Sequence, residues 1–488
     1  MTEEEKTPKV PWHQGITRLV LWYPKGMDTQ EKRLLFKLDV VLLLYICCSY
    51  FTKSLDKSNI TNAYGSGMKE AIDFGGDDLA YAKSLFSAGY IVSMCLGTMF
   101  VTQSWARILV PTLEIVWGLF TFCQAAVKTP SQMFAMRFLV GLAEGPIFPC
   151  IVYILGSWYK RDELYRRVMV FSISSSLGGM FSGYLQTAAL SIHHGLDAWQ
   201  WGYIIDGVIT VPIALAGLFV FPGTPDQIKK LFWLSGEELA LAKTRMAQSG
   251  VEATTTITPA LLKRVFSRWH VYFFTAFWVL LNVVALPDGT GFQLWLLSKP
   301  ESFNTVQYNN YPTIQSAVGI VAQIILGGLS DSYSIYPMLT ITQILFIISY
   351  SSLAAWNIPD GYRWFCFMII GFDGVNQTIV SGWINRACRR DAGERAFVLG
   401  FSDAVSQAMN IWTNIVFYPT SKGPEFRLGY IISCCAAFIM LVMPIFSFYG
   451  ERHDETKWAR EDDQSSVEND QYAGVEKTGE HVSAHDLS

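Results

Sequence analysis

Apolar blocks alternate with short polar segments along most of the chain. Each block is roughly 20 residues long, which is the length that a helix needs to cross the hydrocarbon core of a bilayer. The pattern predicts an all-α polytopic membrane protein with twelve transmembrane helices. The predicted spans lie at 38–60, 81–101, 107–125, 131–156, 168–190, 201–221, 269–287, 313–330, 335–355, 362–382, 394–418 and 428–450.

The longest internal polar segment divides the predicted spans six and six. Two six-helix bundles that enclose a midplane site and rock against each other are a common plan for secondary transporters. The C-terminal polar segment has too few aliphatic residues to bury a core. We therefore expect a cytoplasmic N-terminal segment at 1–37, an N-terminal bundle at 38–221, a cytoplasmic central loop with one short amphipathic helix at 222–268, a C-terminal bundle at 269–450 and a disordered cytoplasmic tail at 451–488.

The composition excludes several protein classes. Hydrophobic residues make up 51% of the chain and charged residues only 16%, against about 25% charged in an ordinary soluble protein. This excludes a soluble enzyme and a secreted disulfide-rich module. The net charge is −4 and the basic residues form no single patch, so we expect no nucleic-acid partner. With the N-terminus inside, cytoplasmic segments collect most Lys and Arg, which predicts that both termini are cytoplasmic.

The sequence lacks the motifs of primary pumps and membrane enzymes. No Gly-Lys dipeptide occurs, so the phosphate-binding loop of ATP-driven transporters is absent from the sequence. All seven histidines fall in predicted loops, in the tails or at the edge of a span, and eight of the nine cysteines lie in apolar blocks. We therefore expect no catalytic residue, no metal and no cofactor. Secondary transport driven by an ion gradient remains.

The ionisable residues inside the predicted spans are the first functional candidates, because an intramembrane charge is costly. Arg137 and Glu144 are seven residues apart, so they share one helix face about 10 Å apart. This spacing suits an anion held at one residue and a proton at the other, although a static interhelical ion pair is the alternative. Asp56 and Lys57 end the first predicted span and could line a cavity, whereas we interpret Lys53 as snorkelling to the headgroups.

Other acids and amides complete the polar set. Glu114, Asp206, Asp373 and Asp403 are expected to pair with neighbouring helices. The second half instead carries amides among aromatic residues, a surface that can bind a ring, amide or hydroxyl, or simply form interhelical hydrogen bonds. With cations only in the first half, the ligand is expected to be a small monoanion rather than a phosphate. The amides selected as substrate candidates are Asn376, Gln377, Asn410 and Asn414.

Several segments resemble a known transporter family. The runs 56–63, 137–149 and 156–160 resemble the anion:cation symporter family of the major facilitator superfamily. The runs 180–187 and 222–226 are similar to its fungal branch, which includes the allantoate permease and the pantothenate, biotin and nicotinate transporters. The resemblance extends over residues 36–450.

The resemblance implies a role for each matching residue. Asp56 and Glu144 would be the proton-coupling carboxylates, and Arg137 with Lys57 would bind the substrate carboxylate. Many relatives have Arg where this chain has Lys57, which loses bidentate geometry. The run Gly327-Gly328-Leu329-Ser330-Asp331 keeps the second-half gating motif, with Asp331 as the gating residue and helix capping as the alternative.

The sequence thus predicts a proton-coupled secondary transporter that imports a small organic monoanion, a vitamin carboxylate such as pantothenate. An allantoate, nicotinate, biotin or sulfonate permease of the same family remains an alternative, as does a nutrient sensor that does not transport. The expected partners are the organic anion, protons and the lipid bilayer. We expect a monomer in the plasma membrane.

Overall fold

A computed structural model describes Tyr23 and residues 26–101, 106–192, 195–225, 228, 231–248, 258–286, 290–332, 334–388 and 391–479. Every regular element in these ranges is helical. Up to the central loop the helices are α1 (Thr29–Leu38), α2 (Leu44–Ala63), α3 (Asp78–Val101), α4 (Ala106–Gln124), α5 (Pro130–Glu144), α6 (Ile147–Trp158), α7 (Arg161–Leu190) and α8 (Ala198–Val220). The central loop contains α9 (Gly236–Gln248) and α10 (Pro259–Phe266). There follow α11 (Trp269–Ala285), α12 (Thr290–Leu297), α13 (Thr305–Ala322), α14 (Ile335–Ala355), α15 (Asp360–Ile370), α16 (Asp373–Ala387), α17 (Ala392–Phe417) and α18 (Arg427–Gly479).

The all-α class predicted from the apolar blocks is confirmed. Within the described ranges, eight helical segments are long and apolar enough to cross a membrane by length and composition. The four other predicted spans coincide with α3, α4, the broken pair α15 and α16, and α17. We call the chain before the central loop the first half and the chain after it the second half.

Small residues bring α3 and α5 together and so fix the position of the polar residues on α5. A Cβ atom at Gly89 would lie 2.2 Å from the carbonyl oxygen of Phe138, and one at Gly141 would lie 2.1 Å from that of Phe86. Such contacts leave room only for glycine, which is typical of tightly packed membrane helices. The predicted fourth span is not one helix, because α5 ends at Glu144 and Pro146 interrupts the backbone ladder before α6.

The central loop differs from the expectation of a single helix, because α9 and α10 both form and each contacts a different half. Arg245 of α9 pairs with Glu163 of the first half at 2.6 Å. Arg264 of α10 pairs with Asp391 of the second half at 2.9 Å. The apolar side of α9 also packs into the first-half core, through Leu239 and other buried residues. The sequence predicted one amphipathic helix in this segment, whereas the structure has two, each docked on a different half.

The polar tail also differs from the expectation. We expected disorder over 451–488, whereas α18 continues to Gly479 and residues 480–488 lie outside the described part. The tail contains good helix formers such as Glu, Lys, Ala and Arg, which allow a helix to extend beyond its apolar part. Residues from Val442 onward form a compact unit of their own.

The two halves meet through α3 against α17 and through α7 against α13. At the end of the molecule away from the central loop, uncharged side chains form hydrogen bonds between the halves, and we call this group the far-end seal. Its residues are compatible with close packing, since Gly65 lies against the ring of Tyr308. The structure is therefore closed at this end. The bonds of the seal join Gln293 to Asn62 at 2.5 Å, Asn309 to Ser66 at 3.0 Å, Thr187 to Asn310 at 2.7 Å and Thr313 to Tyr184 at 3.1 Å.

Candidate substrate and proton site

A buried ion pair between Asp56 and Arg137 lies at the centre of the first half. Arg137 of α5 donates from Nη1 to Oδ2 of Asp56 on α2 at 3.2 Å, and Thr121 of α4 donates to the other carboxylate oxygen at 3.0 Å. The exposed fractions of the two charged side chains are 0% and 1%. Three helices thus hold one carboxylate, and the structure brings together two residues that the sequence selected separately.

Arg137 keeps hydrogen-bonding capacity beyond this pair. Its Nε is buried and has no hydrogen-bond partner in the described part of the chain, and the guanidinium lies 4.8 Å from the ring centre of Phe86. A buried donor without an acceptor is costly. The guanidinium is therefore able to accept a further oxygen ligand without first breaking its bond to Asp56.

Glu144 is the other buried carboxylate of α5, and its environment is unlike that of Asp56. Neither of its oxygens has a hydrogen-bond partner among the described residues, although the side chain is fully buried. Asp56, Lys53 and Arg137 are close enough to act on it electrostatically. An ionised carboxylate without donors is expensive to bury, which makes Glu144 suited to holding a proton. The structure shows no static hydrogen-bonded ion pair at Glu144 of the kind considered from the sequence.

Two further buried acids of the first half are satisfied locally, as expected. Glu114 accepts from Tyr45 at 2.7 Å and also from Ser49. Asp206 accepts from Asn59 at 3.3 Å and from Thr210 at 3.2 Å. These acids stabilise the packing of α2 against α4 and α8. Glu144 differs from them only in having no such donors.

Two lysines of α2 occupy places opposite to those expected. Lys57, which we expected to be a buried cation, is exposed. Lys53, which we expected to snorkel, is buried and donates from Nζ to Tyr90 Oη at 3.1 Å. The two are one turn apart and share a face, so Lys57 lies directly beyond Lys53 along the side of α2 that faces Tyr90. A sequence reading misjudged their depth because the helix extends to Ala63 instead of ending near residue 60.

The amides of the second half do not converge on one point. Asn376 is buried and accepts a hydrogen bond from Thr342 at 2.8 Å, whereas its neighbour Gln377 is exposed. Asn410 donates to Asn282 at 3.2 Å, and its own Oδ1 is buried without a partner in the described residues. Asn376 therefore fits the alternative of an interhelical hydrogen bond. Asn410 keeps a side-chain oxygen that can accept a hydrogen bond from another group.

One face of α17 is polar between residues 403 and 414, a stripe that extends the pair Asn410 and Asn414, which share a face one turn apart. Asp403, Gln407, Asn410 and Asn414 follow a spacing of four, three and four residues, which is the signal that places them on one side of a helix. Asn414 also lines a small cavity with Lys83 of the first half. The side chain of Asp331, the predicted gating residue, lies outside the described part of the chain.

A second polar cluster lies near the central loop. The ligand atoms of His270, Cys388 and Glu394 are within 4.8 Å of one another, and all three residues are buried. Glu394 already accepts from Arg268 and contacts His270 at 2.9 Å. The guanidinium supplies the positive charge that the carboxylate requires, so the cluster is a satisfied ion-pair network.

Comparison with known proteins decides the family. The sequence profile of the Major Facilitator Superfamily matches residues 46–413. The chain belongs to this superfamily. Its curated relatives include "MFS transporter PfmaC" of Pestalotiopsis fici, 34% identical over 86% of this chain and 80% of the relative. "Pantothenate transporter liz1" of Schizosaccharomyces pombe is 32% identical over 88% of this chain and 84% of its own length. "Vitamin H transporter" of Saccharomyces cerevisiae is 29% identical over 88% of this chain and 74% of its own length.

Solved structures agree with this assignment at the level of the fold. The xylose transporter XylE of E. coli matches with a TM-score of 0.63 at 11% identity, over 84% of this chain and 97% of the other. A bacterial homologue of the human lysosomal transporter Spinster matches with a TM-score of 0.60 at 11% identity, over 88% and 98%. The Major Facilitator Superfamily chain described here is therefore a multi-pass membrane transporter and not an enzyme, as the sequence predicted.

Proposed function

We propose that this Major Facilitator Superfamily protein is a proton-coupled symporter that imports a small organic monoanion, a vitamin carboxylate such as pantothenate. One observation carries the proposal: a buried guanidinium with spare donor capacity pairs with one buried carboxylate, and a second buried carboxylate on the same helix has no hydrogen-bond donor among the described residues. The naming of relatives as pantothenate and vitamin H transporters supports a vitamin carboxylate as the substrate. We further propose that both termini are cytoplasmic, that the protein acts in the plasma membrane and that it is a monomer.

The proposed mechanism uses the two carboxylates as proton sites. Protonation of Asp56 weakens its hold on Arg137, because a neutral carboxyl no longer attracts the guanidinium. The substrate carboxylate then binds Arg137, with Lys57 as the exposed second cation that attracts it. Protonation of Glu144 removes the remaining uncompensated charge from the site. Binding of the anion and of protons is thereby linked, since each changes the electrostatic cost of the other.

In this mechanism the second half recognises the uncharged part of the substrate. Asn410 and Asn414 of α17 offer amide groups on the polar face described above, and aromatic side chains cover the apolar part of a ligand. Asn376 and Gln377 of α16 are the other candidates selected from the sequence, and recognition by α16 is the alternative to recognition by α17. Asp331 is retained as the proposed gating residue, on the resemblance of its motif alone.

Uptake measurements test the substrate and the proton coupling together. Labelled pantothenate, biotin, nicotinate and allantoate are offered to cells that lack their own importers, at acidic and neutral external pH. We expect accumulation of one monoanion against its gradient, faster at acidic pH. Binding of an anion without flux of any member of the panel would instead indicate a nutrient sensor.

Glu144→Gln tests the proton site directly. We expect the variant to lose pH-driven accumulation and to retain exchange of labelled for unlabelled substrate, because exchange needs no net proton movement. Glu114→Gln is the matched control, since Glu114 is equally buried but hydrogen-bonded by Tyr45. If Glu144→Gln still concentrates the substrate, the assignment of Glu144 is wrong.

A further inference from the structure

Lys53 holds a buried ammonium group that the proposed mechanism leaves unused. Its Nζ lies 5.1 Å from the ring centre of Tyr50 and 4.6 Å from that of Tyr90. Contacts with aromatic faces and one hydroxyl offset only part of the cost of burying an ammonium group. The charged form of Lys53 therefore depends on nearby anions, and its direct contacts in the described part of the chain are the two rings and the Tyr90 hydroxyl, none of them a carboxylate.

Two carboxylates from opposite halves act electrostatically on this ammonium. Glu144 belongs to the first half and Asp403 to α17 of the second half, and both attract Lys53 electrostatically. Asp403 is buried, and its charge also reaches Tyr50 and Tyr90. The next residue on α17, Ala404, packs against the apolar core of the first half. The ammonium thus lies between a carboxylate that moves with it and one that does not.

Asp403 has partners in its own half as well. Gln407 and Trp278, both of the second half, interact with its carboxylate, so its surroundings belong to α17 and α11. The other charged group beside Lys53 is Lys57, which repels it. Rocking of the halves must therefore change the distance from Lys53 to Asp403, while the distance from Lys53 to Glu144 is set within the first half.

We propose that Lys53 is a positioning residue that couples protonation of Glu144 to the approach of the second half, by exchanging its anionic partner between Glu144 and Asp403. This inference rests on the proposed proton symport. When Glu144 is ionised, Lys53 is neutralised within the first half. When Glu144 takes up a proton, Asp403 is the anion left, and attraction across the interface draws α17 toward α2. The seal begins nine residues farther along α2, about 14 Å from Lys53 along the helix axis, so closure of the interface at Lys53 favours opening of the far end.

The test measures opening of the far-end seal without any substrate. A reporter cysteine replaces Ser66, which is buried and accepts from Asn309 across the halves. Labelling of the purified protein by an impermeant maleimide is followed at about pH 5.5 and about pH 7.5. Each rate is corrected for the native cysteines with the parent protein and divided by that of a cysteine at the exposed Glu70, which removes the pH dependence of the thiol itself.

We expect acidification to raise the corrected rate about threefold or more, because a shift of ~0.7 kcal/mol in a two-state equilibrium suffices. Lys53→Met and Asp403→Asn are each expected to abolish this pH response, and the double variant to add nothing further. Lys53→Arg keeps the charge and should keep the response. Lys69→Met is the matched control, since Lys69 lies over the ring of Tyr64 but is exposed.

The outcomes separate this inference from the proposed function. An unchanged pH response in Lys53→Met, or additive effects of the two substitutions, would overturn the role of Lys53 even if pantothenate uptake is proton-driven. A response that is lost in both variants supports the coupling even if the transported anion is another. Loss of the response in Lys69→Met as well would show a general structural effect and would also overturn the proposal.

Discussion

The two halves of this transporter carry their polarity in different forms. In the first half, Asp56, Arg137, Glu144 and Lys53 are charged residues buried within one cluster. In the second half, α17 presents mostly amides, with Asp403 as a buried acid at one end of the stripe. Amides can recognise shape and hydrogen-bonding pattern but cannot exchange a proton at physiological pH. In the proposed mechanism, proton binding therefore belongs to the first half and selection of the uncharged part of the substrate to the second half, with Asp403 as the acid of the second half that acts on the charged cluster.

The largest expected effect comes from removing the cation of the first half. Arg137→Ala leaves Asp56 buried without its partner, which typically costs about 3–5 kcal/mol. We expect uptake of labelled pantothenate to fall by about a hundredfold or more and thermal stability in detergent to drop. Arg137→Lys keeps the charge but not the planar geometry and should be intermediate. Near-normal uptake by Arg137→Ala would show that transport does not depend on the charged cluster of the first half.

The contact between the halves provides the next test. A Cβ atom at Gly183 would lie 2.2 Å from the carbonyl oxygen of Asn309, whereas one at Gly179 meets nothing closer than 3.4 Å. Gly183→Ala should destabilise the closed far end by about 1–3 kcal/mol, which shifts the population toward open states by a factor of about 5 to 150. Labelling of the cysteine at position 66 measures this shift. Gly179→Ala is the control, and equal labelling of the two variants would contradict the prediction.

A smaller effect is expected from the amides of the second half. Asn410→Ala removes bonds worth about 0.5–1.5 kcal/mol and should raise KM for the transported anion by about two- to tenfold, with little change in maximal rate. Asn376→Ala loses a bond to Thr342 inside the second half and should lower thermal stability without a change in KM. The reverse pattern would move substrate recognition from α17 to α16.

The smallest effect concerns α9, outside the membrane. Burial opposes the ionisation of Glu238, but hydrogen bonds from Lys37 at 2.7 Å and from Ser235 outweigh it and lower the pKa of Glu238 below 4.5. A lowered pKa in the folded state stabilises docking above about pH 4.5, and this contribution is lost as the pH falls further. Hydrogen exchange in α9, corrected for its intrinsic pH dependence, should therefore rise in acid. Lys37→Met should raise the exchange rate in α9 already at neutral pH, because docking loses a free energy of less than about 1 kcal/mol.

The fold class and three members of the cluster, Asp56, Arg137 and Glu144, could be selected from the sequence because local signals mark them. Apolar block length predicts spans, and the seven-residue spacing of Arg137 and Glu144 places them on one face whatever surrounds them. The pairing of Asp56 with Arg137 joins helices 81 residues apart in the chain. That contact depends on how α2 packs against α5, which no local pattern specifies.

The errors have the same origin. Lys53 and Lys57 share a face of α2 one turn apart, and their depth along the helix, which depends on how α2 is placed among its neighbours, decides which of them is buried. The role of Asp403 was unpredictable for a related reason, since its nearest cation belongs to the other half. The second linker helix was missed because α10 is stabilised largely by contacts with the second half, among them Arg264 with Asp391. Signals that arise between distant segments are invisible in a single sequence.

Because α9 docks on the first half and α10 on the second half, the length of the chain between them limits how far the two docking sites can separate. Ten peptide links join Gln248 to Thr258, and a fully extended chain spans at most about 3.6 Å for each, or about 36 Å. While both docking contacts hold, the two attachment points cannot move apart farther than this length. The length of the linker therefore sets an upper limit on how far the central-loop end of the molecule can open. Insertions in the linker would raise this limit without changing the substrate site.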